Sequence, residues 1–491
     1  MSLIGETMRP KLELLDAELV TRILDEAFEL LATLGTKVGD PEAVELLRSA
    51  DVAFEDAVAR IPKRIVQRAL ESAPHEFFLH DRSGNPVVHY GGDDVHFDPG
   101  SSCLNILDSE TQQPRLATSA DLVRLVQVAE MLPQYTAQAT AMVCNDVPSE
   151  IGDWYRLLLV LWYSDKPVVT GAFSAATLKI MIELLAADSG GSEKLRAKPR
   201  AVFDVCPSPP LNWSGFAAHN MVELARAGVP AEIVSMPLAG ATAPVTLAGA
   251  IVQHAAECLA GITIHQLAKP GAPVVWGGAP AIFDMSTGNT PMGAVETAML
   301  DMGCAQVGKS LGLPTHGYLV ATDGGQIDAQ AGMESGGSAF LGALAGINMI
   351  SGAGMLNFLA CHSIEKLVID AEAISSAQRL LNGVEAARDT LALGMFAQTG
   401  LHGDFLKLKE TRSLFRREQH FPSAVIDRSG DANAPGMLER ARWRVQELID
   451  TYHKPAIPGE VEDALHEIAL REAGVFGMKS LPEIEAAEVH H

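Results

Sequence analysis

One pattern constrains this chain more than any other. Between residue 117 and about residue 400, a helical stretch and a short β-rich run alternate repeatedly. The runs are Tyr135–Cys144, Pro167–Phe173, Ala201–Cys206, Ala231–Met236, Pro273–Trp276, Gly317–Ala321 and Ile347–Ile350. Each passes into a loop of turn-forming residues, as at Thr170-Gly171-Ala172 and Trp276-Gly277-Gly278. Between them lie Ala/Leu/Glu-rich helical stretches, Ser214–Ala227 and Leu247–Leu267 among them. Consecutive β–α units predict an α/β fold, specifically a (β/α)8 TIM barrel. An open doubly wound sheet is the alternative, and the weak nucleotide signature counts against it.

The flanks read differently. Leu12, Leu15, Leu19, Ile23, Ala27, Leu30, Leu31 and Leu34 recur at three or four and mark one face of a long helix. Asp40-Pro41-Glu42 starts a second helix: a capping acid, proline at the first helical position, then acid in the first turn. A third follows Ile61-Pro62. Residues 76–116 carry hairpin chemistry at Ser83-Gly84-Asn85-Pro86, Gly91-Gly92 and Asp98-Pro99-Gly100. Beyond 405 the chain is charged and helical. The expected organisation is 1–116, helices and a β-hairpin insertion packing on the barrel; 117–404, the catalytic barrel; and 405–491, a helical C-terminal wrap.

Composition excludes several classes. With 37 Lys+Arg against 61 Asp+Glu, the formal charge is −24, which argues against nucleic acid or an anionic membrane as the main partner. The six cysteines form no CxxC pair and suit a reducing compartment. The N-terminus lacks a basic region followed by an apolar stretch, and the apolar runs at 155–162 and 339–360 are too short or too broken to span a bilayer. A cytoplasmic protein is expected.

Several motifs compete with bland readings. Gly303 to Ser310 fits the P-loop pattern, but the residues before it read as a helix already under way rather than the strand a P-loop needs. No HExxH or thiol pair is present, so no metal site is expected, and the absence of a GxSxG elbow leaves no local nucleophile signature. Residues at the predicted strand ends are the barrel's natural site candidates. Trp276 either packs in the core or lines a cavity beside two glycines. Thr322-Asp323 is either a site element or a capping turn. His316 and His362 flank the last two units and are either structural or functional. Asp370 and Glu372 form a helical carboxylate pair, solvated or salt-bridged.

Residues 290–430 carry an ordered set of strings: Glu296-Thr-Ala-Met-Leu-Asp, Leu311-Gly-Leu-Pro, Thr322-Asp323, Asp328-Ala-Gln-Ala-Gly-Met-Glu334, Leu344-Ala-Gly346-Ile-Asn348, Gly352-Ala-Gly354, Leu367-Val-Ile-Asp370-Ala-Glu372, Phe415-Arg-Arg-Glu-Gln-His-Phe-Pro422 and Asp427-Arg428. In order and spacing, this set resembles the trimethylamine methyltransferase family over nearly the whole chain. The resemblance implies a barrel enzyme that moves a methyl group from a methylated amine to the cobalt of a corrinoid (cobalamin) carried by a separate protein, with no cofactor bound permanently to this chain. Members that use trimethylamine carry pyrrolysine, whereas this chain has standard residues only. Members without it resemble glycine betaine or related quaternary-amine demethylases. Gly403-Asp404-Phe405 and Glu410-Thr411 depart from the histidine-bearing strings expected there.

A quaternary ammonium leaves as a neutral amine, so neither metal nor general acid is needed at nitrogen, and the nucleophile arrives on the partner. What remains for the chain is to desolvate, hold and aim the cation. Aromatic faces do this by cation–π attraction, and Trp276, Phe97 and Phe173 are the aromatic candidates. Glu334 or Asp323 would balance the charge as catalytic carboxylates. His316 or Thr322, with His362 nearby, would serve a betaine's own carboxylate. The partners expected are a corrinoid protein docked at the C-terminal face of the barrel, a small quaternary amine and a second copy of the chain in a homo-oligomer. The alternatives are a non-catalytic betaine-binding or sensory protein and a barrel lyase or aldolase, which would need an active-site lysine or a metal-binding carboxylate set; Lys309, Lys366 and Lys407 do not sit at convincing strand ends.

Overall fold

The computed structural model describes residues 9–100, 102–384, 391–401 and 403–482. Three helices come first: α1 (Ala17–Thr33), α2 (Pro41–Ser49) and α3 (Lys63–Ser72). The capping signal before α2 is realised, because the Asp40 carboxylate accepts the Ala43 N–H at 2.8 Å with Pro41 at the first helical position.

Parallel strands and helices then alternate: β1 (His96–Pro99), α4 (Ser119–Met131), β2 (Gln138–Ala139), α5 (Gly152–Tyr163), β3 (Val168–Gly171), α6 (Ala175–Ser189), β4 (Ala201–Val205), α7 (Gly215–Ala227), β5 (Ala231–Ser235), α8 (Leu247–Ala268), β6 (Val274–Gly278), α9 (Val295–Ser310), β7 (His316–Tyr318), α10 (Ala329–Ala345), β8 (Met349–Ala353) and α11 (Ile364–Leu381). Strands β2 to β6 pair in order in one parallel sheet, and β7–β8–β1 in another. The sheets meet at both edges. Trp276 N–H donates to Pro314 O at 2.9 Å, and Thr136 N–H donates to Phe97 O at 3.1 Å.

One expectation changes here. Residues 76–116 are not hairpin throughout. Phe77–His80 with Pro86–Tyr90, and Asn105–Leu107 with Pro114–Leu116, form antiparallel hairpins, whereas β1 between them pairs in parallel with β8. A four-residue strand followed by Pro99-Gly100 looks like turn chemistry until its partner, some 250 residues away, is in place. The hairpin's Leu79, Val88 and Tyr90 pack against Val169, Val202, Val275 and Met349, closing the N-terminal end of the parallel strands.

Strand alternation sorts the side chains into an inner and an outer set. Val202 and Asp204 of β4, Glu232 of β5, Val275 and Gly277 of β6, His316 and Tyr318 of β7, Ser351 of β8 and Asp98 of β1 face inward; Phe203, Ile233, Trp276 and Phe97 pack outward beneath the helices. The longest apolar helix is α8, which every residue from 250 to 266 buries against α1, α2, α3, α7 and α9. By length and apolarity it matches a bilayer span, and here the core takes up that apolar surface. The P-loop-like string lies inside α9, with no strand before it. Of the C-terminal helices, α12 (Met437–Asp450) packs on α11 and α4, and α13 (Gly459–Val475) packs on α6.

Candidate active site

At the C-terminal ends of β3 to β7 lies a cavity of about 300 Å³. Phe173 and Phe216 stand at its rim, 62% and 38% exposed, and Ala172, Val205, Val234, Met236, Ala279 and Leu359 line it. Its polar groups are few: Asp204, Tyr318, Asn220, Ser102 and the thiol of Cys206. An apolar wall with a few convergent polar groups is the usual form of a small-molecule site, and strand C-termini are where such folds place one.

Two clusters support it. On the rim side, Arg156 of α5 is fully buried. It donates to Ser102 Oγ (2.7 Å), Thr140 O (3.3 Å) and Gly171 O (3.0 Å), and its guanidinium lies 4.8 Å from the centre of the Phe173 ring. The arginine thereby fixes the loop after β3 and the aromatic it carries. Beneath the cavity, three carboxyl groups project inward: Asp98, Asp204 and Glu232. Tyr318 Oη donates to Asp204 Oδ2 at 3.4 Å, Tyr90 Oη to Glu232 Oε2 at 3.0 Å, and Ser351 Oγ to Asp98 Oδ1 at 2.6 Å. Burial pushes Asp98 and Glu232 well above the usual carboxylate range and raises Asp204 to about 6.

Of the residues expected from sequence, Phe173 stands at the cavity rim. The others lie elsewhere, each for a physical reason. Trp276 is on the outer face of β6, where its Nε1–H donates to Cys304 O at 2.9 Å and its ring fills the space Gly308 of α9 leaves. Phe97 is likewise outward from β1 and buried in the core between strands and helices. Both miss the interior by one residue, since neighbouring strand positions face opposite ways. His316 does point inward, beside Gly277, where a Cβ would crowd its ring, but it sits beneath the cavity rather than in its wall. Its Nε2 is 3.1 Å from Ser351 Oγ, and burial lowers its pKa to about 3, so it is neutral.

Thr322, Asp323 and Glu334 form a loop clamp instead of a charge pair at the cavity. Thr322 Oγ1 donates to Glu334 Oε2, which also accepts the Asp323 N–H at 2.9 Å, while Asp323 Oδ1 accepts the Met292 N–H at 2.6 Å. His362 is buried without a hydrogen-bond partner for either ring nitrogen and lies outside the cavity wall. Asp370 proves salt-bridged, to Lys366 at 2.6 Å, and Glu372 accepts the Ser423 N–H at 3.2 Å. The departures at 403–411 fall away from the cavity, with Asp404 capping the turn at Phe405–Lys407.

Asp98, Asp204, Glu232, Tyr318 and Arg156 escaped the sequence reading. A signal for two of them is present: Ala-Val-Phe-Asp204-Val and Ala-Glu232-Ile-Val-Ser each set one acid inside a run that a parallel sheet buries on both faces. Trp276→Ala is therefore expected to cost about 3–5 kcal/mol of unfolding free energy and to leave the KM of the folded enzyme unchanged. Denaturant melts and steady-state kinetics on the same preparation check both.

Among the described residues no group of His, Cys, Asp and Glu is arranged to hold a metal ion. The profile of the family described as "Trimethylamine methyltransferase (MTTB)" matches residues 4–475. Trimethylamine methyltransferase MttB of Desulfitobacterium hafniense (strain DSM 10664 / DCB-2) is 29% identical, covering 92% of both chains. Glycine betaine methyltransferase of D. hafniense (strain Y51) is also 29% identical, covering 93% of this chain and 96% of its own. Trimethylamine methyltransferase MttB1 of Methanosarcina mazei is 32% identical over 86% of this chain and 87% of its own. In fold, the chain is similar to the crystal structure of Methanosarcina barkeri monomethylamine methyltransferase (MtmB), with a TM-score of 0.55 at 12% identity, covering 95% of this chain and 89% of that one. The profile match spans the ordered strings at 290–430 and the strands that build the cavity alike: this chain is a methyltransferase and belongs to the trimethylamine methyltransferase family.

Proposed function

We propose that the chain is a cytoplasmic (β/α)8-barrel enzyme that transfers a methyl group from a small quaternary amine, glycine betaine first among them, to the cobalt of a corrinoid carried by a partner protein. The observation that carries the reading is the cavity: aromatic rings of Phe173, Phe216 and Tyr318 around an apolar wall, with the Asp204 carboxylate at its floor. A tetraalkylammonium presents methyl groups carrying diffuse positive charge. Aromatic faces attract it by about 2 kcal/mol or more per desolvated contact, and one carboxylate offsets its net charge. The relative named glycine betaine methyltransferase supports the choice of substrate.

Each residue then has a task. Tyr318 and Phe173 face the cation, and Asp204 holds the ammonium end down so that one methyl points to the cavity mouth. Arg156 keeps the Phe173 loop in place. Asn220 and Ser102, both in the cavity wall, would offer their side-chain N–H and O–H groups as donors to a betaine carboxylate. This assignment replaces His316, which sits beneath the cavity wall, and Thr322, whose hydroxyl is engaged by Glu334. The nitrogen leaves as a neutral amine, so the chain moves no proton there.

The corrinoid supplies the nucleophile. The exposed Phe173 and Phe216 at the mouth form an apolar rim that suits an incoming corrinoid protein. A sensory protein would bind the same cation without turnover. A lyase would need a reactive lysine, and Lys366 is buried against Asp370, Ser335 and Val320 O.

The test is anaerobic methylation of free cob(I)alamin, followed by absorbance, with glycine betaine, proline betaine, carnitine, choline and trimethylamine. Turnover on a quaternary amine and none on trimethylamine is expected. Turnover on trimethylamine alone would overturn the reading.

A further inference from the structure

We infer that Glu232 acts as a neutral carboxylic acid, a positioning residue whose O–H donates to Asp204 and leaves Asp204 as the single ionised carboxylate facing the bound cation. The inference rests on the cavity being the cation site.

The geometry beneath the cavity has an imbalance of acceptors. Register pairs Asp204 of β4 directly with Glu232 of β5, and the two side chains lie within hydrogen-bonding reach of each other. Tyr318 serves Asp204 Oδ2 and Tyr90 serves Glu232 Oε2. Asp204 Oδ1 and Glu232 Oε1 are left buried without a hydrogen bond, the latter 3.4 Å from the His316 Nε2 that serves Ser351. Two ionised carboxylates offer acceptors only, so neither leftover oxygen can satisfy the other. One proton between them satisfies both and reduces the pair's charge from −2 to −1.

The surroundings decide which residue carries that proton. Glu232 is fully enclosed, whereas Asp204 opens to the cavity. Burial, then the charges of Asp204 and Asp98, hold the Glu232 carboxyl well above its usual range. Burial raises Asp204 only to about 6, because hydrogen bonds from Glu232 and Tyr318 and the nearby Arg156 charge favour its ionised form. The other groups facing the pair are accounted for. Asp98 is raised by burial, and its Oδ1 takes the Ser351 hydroxyl. With that hydroxyl donated, His316 Nε2 must itself donate to Ser351 Oγ, so the ring is the neutral Nε2–H tautomer, 3.4 Å from Glu232 Oε1. Burial holds Tyr90 in its neutral form, and its enclosed surroundings together with the Asp204 charge push the Cys206 thiol up. Of the three carboxyl groups the site therefore presents one in its ionised form to a cation, and the Arg156 charge on the rim side is paired with Asp153 at 3.5 Å.

Glutamine matches a neutral glutamic acid: its amide N–H can donate to Asp204 while its carbonyl accepts from Tyr90. The experiment compares full-length wild type, Glu232→Gln, Glu232→Leu and Asp204→Asn. It titrates tetramethylammonium and glycine betaine by calorimetry across pH and records the protonated-carboxyl C=O band by infrared spectroscopy at pH 7. Glu232→Gln should bind within about threefold of wild type and lack one C=O band. Glu232→Leu, which fills the space without a donor, should bind at least about tenfold more weakly, and Asp204→Asn about a hundredfold more weakly. Wild-type and Glu232→Gln affinities should both fall as pH drops through about 6, where Asp204 takes up its proton. Glu232→Gln binding as poorly as Asp204→Asn, Glu232→Leu matching Glu232→Gln, or an unchanged C=O band would each overturn the inference. If wild type binds neither ammonium, the cavity reading falls and the role toward a cation falls with it; the infrared band still decides separately whether Glu232 is protonated.

Discussion

Asp204→Asn should cut kcat/KM for the quaternary amine by about 10²- to 10³-fold while the protein still folds, which corresponds to about 3–4 kcal/mol. The physical reason is the cost of bringing a permanent cation into a cavity walled by Val205, Val234, Met236 and Leu359. In the proposed site aromatic faces would recover part of the lost hydration, and Asp204 would supply the full opposite charge at short range. Asparagine keeps the shape and the Tyr318 hydrogen bond but removes the charge. The defect should appear mainly in KM. Positive charge on nitrogen fades as its methyl departs, so Asp204 stabilises the bound substrate at least as much as the transition state. Steady-state kinetics with the amine varied at fixed corrinoid check this split; an unchanged KM would exclude Asp204 as the counter-charge.

The second large effect concerns stability. Lys366→Met should lower the unfolding free energy by about 3–5 kcal/mol, because it strands a buried carboxylate. Lys366 Nζ reaches Asp370 Oδ2 at 2.6 Å, Ser335 Oγ at 2.8 Å and Val320 O at 3.2 Å, tying α11 to α10 and to the loop after β7. Asp370 Oδ2 also accepts the Gly354 N–H at 2.7 Å. Adding Asp370→Asn removes the stranded charge and keeps an acceptor for Gly354, so the double variant should regain most of the loss. Chemical denaturation of the four proteins in this cycle measures the coupling. Additive effects would mean that the pair contributes nothing as a pair.

The elements were largely legible from sequence, and the site was not. Seven runs of apolar and β-branched residues became strands because burial between layers of helix demands that composition. Asp40-Pro41-Glu42 started a helix for a purely local reason. The strand at His96–Pro99 was hidden among turn residues, because its register is set by Met349 and Ile350, far along the chain. The lining of the cavity is decided on a finer scale. Trp276 and Phe97 both face outward, Trp276 from a strand that ends at the cavity and Phe97 from one that does not, and only the interior packing of Val275 and Asp98 reveals which face is inward. Glu334 and Asp323 are carboxylates near a strand end, as expected of a site, yet the backbone N–H groups of Asp323 and Met292 engage them. Asp204 and Glu232 were readable only as acids misplaced in buried strands, a signal that is clear once both faces of the sheet are known to be covered.

The most direct test of the central claim is a crystal structure of the protein with glycine betaine bound. The quaternary nitrogen should lie in the cavity between Phe173 and Tyr318, within about 6 Å of a ring centre, with Asp204 as the nearest carboxylate. Betaine density against the Thr322–Glu334 clamp, with the Asp204 cavity holding only solvent, would contradict the account.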